Sequence, residues 1–279
     1  MKKRPIIAIL YDYDSTLCQG NMQDYGFFPA LGINPNDFWN QTNKFSNDAG
    51  CESTLSFLYL MITECQKHNV KCTKKWLNSL GKNIVFFPGV IDWFKRINQY
   101  GKKKGVEIEH YIVSSGNKEI IEGSKIAKEF KEIYACEFYY DKKNNTPTWP
   151  KLVINYTQKT QFFYRVSKGV TDIRDEVSIN KKKAKPRIKH SNIIYIGDGL
   201  TDVPCMTIVK KSGGQSIAVY SKKKRETVID LMKENRVNYA CEANYRPNSE
   251  LDKIVKLIID NIAIVEKLER RQHKENTKL

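Results

Sequence analysis

The chain lacks any apolar stretch of the ~18–20 residues that a bilayer-spanning helix needs. It has no Cys-x-x-Cys pair. Its seven cysteines, Cys18, Cys51, Cys65, Cys72, Cys136, Cys205 and Cys241, are odd in number. This argues against a disulfide framework or a cysteine zinc site and predicts free thiols in a reducing cytosol. No cysteine is followed six positions later by arginine, so the phosphate loop of cysteine-based phosphatases is missing. There is no Gly-x-x-x-x-Gly-Lys nucleotide loop, no internal repeat and no paired-histidine metal motif. The four histidines, His68, His110, His190 and His273, are scattered and read as structural or exposed.

Negative charge is scarce too. Forty-seven Lys and Arg stand against 31 Asp and Glu, a formal charge of +16. An excess of that size can signal nucleic-acid binding. The cations, however, are mostly lysines, scattered or in short runs such as Lys102-Lys103-Lys104, Lys181-Lys182-Lys183 and Lys222-Lys223-Lys224-Arg225. Aromatics are not interleaved with them as in a base-stacking platform. Solvated lysine-rich faces account for the charge, and no specific nucleic-acid partner is expected. The length of 279 residues and 41% hydrophobic content predict one large domain, or one domain with an insertion. The start, Met1-Lys2-Lys3-Arg4-Pro5-Ile6, mimics a signal peptide. Its apolar run is only six residues, ends in Asp12 and has no small-residue cleavage site. We expect a core strand there, a cytoplasmic location and no membrane partner.

What is present begins with that strand. Ile6-Ile7-Ala8-Ile9-Leu10-Tyr11 is apolar throughout and reads as a strand buried on both faces. Asp12-Tyr13-Asp14-Ser15-Thr16 follows, with carboxylates at i and i+2. In open α/β sheets ligands bind at the carboxyl ends of strands. Two adjacent carboxylates need neutralisation, and a hard divalent cation would supply it. An Asp-rich turn that merely ends a strand fits the pentapeptide alone equally well.

Three further elements shift that balance. Tyr111-Ile112-Val113 leads into Ser114-Ser115-Gly116-Asn117. Ile193-Ile194-Tyr195-Ile196 leads into Gly197-Asp198-Gly199-Leu200-Thr201-Asp202. Lys159 lies between them. Each is weak alone. The order of carboxylate pair, hydroxyl, lysine and second carboxylate pair carries the signal. With these four motifs the chain resembles the haloacid dehalogenase-like (HAD) hydrolase superfamily, in its phosphoserine-phosphatase-like branch. Asp12 and Asp14 match the first motif, Ser114 the second, Lys159 the third, and Asp198 and Asp202 the fourth. The usual glycine after the second aspartate is Ser15 here, while the following Thr16 is retained.

The resemblance implies an α/β fold: a Rossmann-like, doubly wound parallel sheet core with a small, mainly helical cap. It implies a Mg2+ ion held by Asp12, the backbone carbonyl of Asp14 and Asp198, with Asp202 behind them orienting a water. Asp12 would be the nucleophile of an aspartyl-phosphate and Asp14 the acid and base. Ser114, Ser115, Gly116 and Lys159 would bind the phosphoryl group of a small phosphorylated substrate. Gly116 and Gly199 are expected to supply tight turns. Hydrolysis of a phosphomonoester is the leading reading. A phosphotransferase or mutase with the same intermediate, and a basic nucleic-acid-binding protein on this scaffold, are the alternatives. Cys18 near the site reads as a small buried residue more than a nucleophile.

The organisation follows. The core is expected from 1–17 and 88–279, and a helical cap from 18–87. The cap segment is too long for a loop. Helices are expected at Thr54–Lys67 and Thr73–Leu80, and its aromatics, Tyr25, Phe27, Phe28, Phe38 and Trp39, would either touch a leaving group or pack the cap. A helix after Pro88-Gly89 should bury Val90, Ile91, Phe94 and Ile97. Another should run from about Lys118 to Ile133. Phe138–Tyr140 and Leu152–Ile154 should form a hairpin, and 170–191 a charged loop. Ser216–Tyr220 and Val237–Ala240 should be the last strands. The final helix, capped at Ser249, should bury Leu251, Ile254, Val255, Ile258, Ile262 and Val265 and fray from Arg270 onward.

Overall fold

The computed structural model describes residues 4–182, 186–221 and 225–277. Residues 1–3, Lys183 and Lys222–Lys224 of the basic runs, and residues 278–279 lie outside them. Strand β1 (Ile6–Tyr11) is buried at every position. A helical stretch follows: α1 (Phe27–Leu31), α2 (Pro35–Ala49), α3 (Ser53–Lys67) and α4 (Lys74–Leu80). Local chemistry sets these starts. Asn34 accepts from the Asn36 N–H ahead of Pro35, Glu52 accepts from Leu55 N–H, and Thr73 accepts from Trp76 N–H. The core then resumes with α5 (Val90–Lys104), β2 (Glu107–Asn117), α6 (Lys118–Glu122), β3 (Glu132–Tyr140) and β4 (Pro147–Leu152). Next come α7 (Lys159–Lys168), α8 (Glu176–Asn180), β5 (Ile193–Gly197), α9 (Val203–Lys211) and β6 (Gln215–Tyr220). Helix α10 (Arg225–Lys233), β7 (Tyr239–Glu242) and α11 (Glu250–Asn276) complete the chain.

The seven strands form one sheet in the order β4-β3-β2-β1-β5-β6-β7. All neighbours pair parallel except β3 and β4. The chain steps outward from β1 through β2 and β3, then returns to the other side of β1 for β5. The strand order therefore reverses at β1. Such a reversal opens a crevice beyond the carboxyl ends of the strands. Tyr11 sits level with Ile112 on one side and Ile196 on the other, so the residues after all three strands emerge side by side.

The parallel sheet core, the strands β1, β2 and β6, and helices α3, α4 and α5 agree with expectation; β7 begins at Tyr239 instead of Val237, α8 lies within the expected loop 170–191, and five further details differ. Ile91 is 52% exposed, and α5 buries Trp93 in its place. Helix α6 stops at Glu122 instead of continuing to Ile133. The Gly123 backbone packs against Asn78, where a Cβ would lie 1.6 Å from the Asn78 carbonyl oxygen. The outer hairpin strand runs through Pro147 and Pro150, earlier than expected. Proline is tolerated there because β4 is an edge strand. Val265 is exposed on α11, which buries Ile259 and Ala263 among other residues. The same helix continues to Asn276 instead of fraying from Arg270.

Backbone-to-backbone contact fixes the helical stretch on the core. Gly81, just past α4, would bring a Cβ within 2.1 Å of the Ile120 carbonyl oxygen in α6. Gly123 makes the reciprocal close approach to α4. Only residues without side chains allow this. We expect Gly123→Ala to destabilise the protein by about 2–3 kcal/mol through overpacking. Gly32→Ala, at φ 68° with open space around it, should cost about 1 kcal/mol from backbone strain alone. Urea denaturation midpoints compare the two, and equal costs would argue against a tight seam.

Candidate active site

Asp12 directly follows β1, and its N–H donates to the Ile196 carbonyl at 2.9 Å. Its backbone thus extends the β1–β5 ladder, and its carboxylate emerges in the crevice. Lys159 arrives from the opposite direction as the first residue of α7. Asn155 starts that helix by accepting from Gln158 N–H at 3.0 Å. The lysine is 1% exposed. Its Nζ donates to Asp12 Oδ1 at 2.9 Å and to Asp202 Oδ1 at 2.7 Å. Burial opposes its charge, but Asp12 and Asp202 outweigh that and raise its pKa, so it stays protonated. Burial pushes the Asp12 carboxyl well above its ordinary range, Asp202 adds to this, and Lys159 opposes it.

Asp202 is wholly buried and fully engaged. Beyond Lys159, its Oδ1 accepts from Tyr195 OH at 2.7 Å. Its Oδ2 accepts from the N–H groups of Asp198 at 3.2 Å and Gly199 at 3.4 Å. The approach needs Gly197, where a Cβ would lie 2.5 Å from that oxygen. Carboxylate oxygens of Asp12, Asp198 and Asp202 lie within 4.8 Å of one another. Hard anionic oxygens suit a small divalent cation, and with the lone pairs of Asp202 engaged, Asp12 and Asp198 are the two of this group that would face one.

Asp14 is half-buried and held by the Met22 N–H at 2.8 Å, with the Cys18 thiol at 3.5 Å. Burial raises its pKa to about 7 against the opposing Met22 hydrogen bond. Near neutral pH it can therefore give or take a proton. Cys18 is buried, and burial raises its thiol pKa far from the thiolate range. Ser15 takes φ 55°, a left-handed conformation that glycine adopts more readily.

Ser114 is buried near the end of β2, and its Oγ accepts from Gly116 N–H at 3.0 Å. The pairing of β2 with β3 shifts between Val113 and Asn117, around Ser114-Ser115-Gly116. Of the two expected glycine turns, the one at Gly199 is present, its carbonyl accepting from Asp202 N–H at 3.0 Å, and the one at Gly116 is not. Gly116 belongs to β2, and its missing Cβ leaves room for Met22 and Asp14. Gly199 is extended and has nothing within 4 Å of a Cβ position.

Asp12, Asp14, Ser114, Ser115, Gly116, Lys159 and Asp198 all line one cavity of about 540 Å³. Asp202 lies behind Lys159 and does not line it. Four features escaped the sequence reading. Tyr195 and Gly197 support Asp202, Met22 holds Asp14, and Gln23 joins the cavity wall. A tyrosine in an otherwise aliphatic strand, three residues before Asp198, was the legible signal for the first. Of the five aromatics named for residues 18–87, only Trp39 lines the cavity. Phe27, Phe28 and Phe38 are buried against one another.

The Lys159 bridge is directly testable. Lys159→Met leaves Asp12 and Asp202 facing each other unpaired, a change that costs about 3–5 kcal/mol. The Asp12 pKa then rises further above its unfolded value of about 3.9. A raised carboxyl pKa leaves stability intact below the unfolded value and removes it as pH rises through the folded one. The variant in chelator should thus be closer to wild type at about pH 5 than at about pH 8. A deficit that does not change with pH in urea melts would contradict the bridge.

No family model matches the chain. An uncharacterized protein of Borreliella burgdorferi is 29% identical over 276 residues, covering 90% of this chain and 95% of that one. Among solved structures, a HAD family hydrolase from Salmonella enterica serovar Typhi superposes with a TM-score of 0.59 at 18% identity, covering 91% of this chain and 72% of that one. A phospho-aspartyl intermediate analogue of phosphoserine phosphatase superposes with a TM-score of 0.53 at 16% identity, covering 91% and 99%. This chain has the α/β fold of the HAD-family hydrolases, in the form seen in phosphoserine phosphatases.

Proposed function

We propose that this protein is a magnesium-dependent phosphatase that hydrolyses a small phosphomonoester through an aspartyl-phosphate on Asp12. The observation that carries the reading is the buried Lys159, bonded to both Asp12 and Asp202 at the floor of the cavity that Asp14, Asp198 and Ser114 also reach. The solved phosphoserine phosphatase with a phospho-aspartyl intermediate analogue supports it by analogy of fold. Residues 1–17 and 88–279 form the catalytic core, and residues 18–87 a cap over the crevice. A cytoplasmic setting accords with the seven free cysteines. Among the described residues no helix is long and apolar enough to cross a membrane.

Asp12, the backbone carbonyl of Asp14 and Asp198 would hold the cation. When bound, the ion supplies positive charge between the Asp12 carboxylate and the anionic phosphate. Lys159 neutralises charge building on the phosphoryl oxygens and favours the ionised form of Asp12 against the effect of burial. Ser114 and neighbouring N–H groups hold the other oxygens. An Asp12 oxygen attacks phosphorus as the bond to the leaving oxygen breaks, and protonated Asp14 gives that oxygen its proton. The Asp14 carboxylate then takes a proton from water. The water oxygen attacks phosphorus, and the bond to Asp12 breaks. Asp202, with all its lone pairs engaged, positions Lys159 and the backbone around Asp198.

Asp12→Asn should abolish phosphate release, by at least about 1,000-fold, while leaving the melting curve near wild type. Excess chelator should do the same reversibly. Undiminished release in either case, in material free of contaminating phosphatase, would remove Asp12 or the metal from the mechanism.

The Asp14 pKa near 7 predicts a pH effect. Phosphorylation needs Asp14 protonated, so kcat/KM for an alkyl phosphate should fall as pH rises above about 7. An aryl phosphate, whose leaving group needs no proton, should not show that fall. Parallel profiles for both substrates would exclude Asp14 as the acid.

A further inference from the structure

The cavity is divided by charge. Asp12, Asp14, Lys159 and Asp198 are the only ionisable acids and bases of the Asp, Glu, Lys, Arg or His type that line it among the described residues, and all four are catalytic candidates at its floor. The residues lining it from α2 and α3 are Trp39, Thr42, Asn43, Ser53, Thr54 and Phe57, none of them charged. The nearby Glu52 is spent on the start of α3, where it accepts from Leu55 N–H and the Thr54 hydroxyl.

The upper wall has a definite hydrogen-bonding character. Thr42 spends its one hydroxyl proton on the Phe38 carbonyl at 2.9 Å, and Thr54 spends its own on Glu52 at 3.0 Å. Both therefore have only acceptor lone pairs to offer. Gln23 is 2% exposed, and its Oε1 has no hydrogen-bond partner, while its Nε2 donates to Asn117. The buried Trp39 Nε1 is a donor without a partner. The Trp39 ring is fixed edge-on to Phe28 and Phe38 and tilted against Phe57 at 6.0 Å. The wall thus combines a rigid aromatic surface, the acceptor oxygens of Thr42 and Thr54, and the Asn43 amide, which can both donate and accept.

Resting on the phosphatase reading above, we propose that the leaving group is uncharged and joins a flat ring to hydroxyl or amine donors, as a nucleoside does. The ring packs on Trp39 and Phe57, its N–H and O–H groups meet Thr42 and Thr54, and its acceptors meet the Asn43 amide. An amino-acid leaving group fits poorly, because its ammonium and carboxylate would enter a wall with no opposite charge. Desolvating unpaired ions there is costly and selects against them. The fold likeness to phosphoserine phosphatase therefore does not carry that substrate across to this chain.

The test measures kcat/KM of the full chain with magnesium for adenosine 5′-monophosphate, O-phosphoserine, glucose 6-phosphate and acetyl phosphate. We expect the nucleotide to exceed phosphoserine and the sugar phosphate by at least about tenfold. Trp39→Ala should cost the nucleotide at least about fivefold more than it costs acetyl phosphate. Asn43→Arg, which adds a cation to the wall, should shift the ratio toward phosphoserine. Phosphoserine or glucose 6-phosphate matching the nucleotide in the wild type would overturn the proposal. If no substrate, acetyl phosphate included, is turned over, the phosphatase reading fails separately. Adenosine binding then decides the wall, read as fluorescence quenching that Trp39→Phe abolishes. Quenching supports the neutral-ring site, and its absence sinks it.

Discussion

A lysine ammonium buried between two carboxylates is the constraint on which this structure turns. Taking Lys159, Asp12 and Asp202 out of water costs several kcal/mol per ion, recovered only if their mutual geometry is good. That geometry requires three separate parts of the chain to meet: the end of β1, the first turn of α7 and the turn after β5. The surroundings serve the same end. Tyr195 and two backbone N–H groups saturate Asp202, and Gly197 gives it room. With Lys159 held on one side, Asp12 presents its carboxylate to the cavity. A misplaced lysine would leave two buried anions in repulsion.

The sheet topology provides the place for this triad, and glycine provides the roof. The strand order reverses at β1, so the crevice forms where Asp12 and Asp198 emerge from adjacent strands. The seam of Gly81 and Gly123 seats α4 against α6 at backbone distance. Helices α2 and α3 are thereby carried over the crevice, with Trp39 and Phe57 facing into it. The cavity is divided by residue type: the ionisable groups lie at its floor, and the residues lining it from α2 and α3 are neutral.

The large positive charge of the chain is distributed differently. Lysines on the outer faces pair with acidic residues, as Lys131 and Arg187 do with Glu109, and Lys118 and Lys151 with Glu137. Both glutamates are themselves buried, so these cations neutralise charges that would otherwise be left unpaired out of water. Lys159 is the one lysine lining the cavity among the described residues. An anion approaching the protein would feel this overall field.

The order of motifs along the chain already pointed to the parallel core and named Asp12, Lys159 and Asp202 themselves, although not Tyr195 and Gly197, which support Asp202. The reason is that each motif is local: an apolar strand followed by its carboxylates, or a hydroxyl and glycine at a strand end. The apolar spacing also marked α3, α5 and α11. Contacts between distant segments had no such signature. Helix α6 ends at Glu122 because Gly123 meets Asn78 from α4, and no period in residues 118–133 encodes that encounter. Ile91 and Val265 fit their apolar stripes, yet they face solvent, because the neighbouring elements cover other residues of α5 and α11. Which of the aromatics in residues 18–87 reach the cavity was equally a tertiary matter. Phe27, Phe28 and Phe38 fill the interior of their own helical layer, and only the packing of that layer on the core turned Trp39 toward the site.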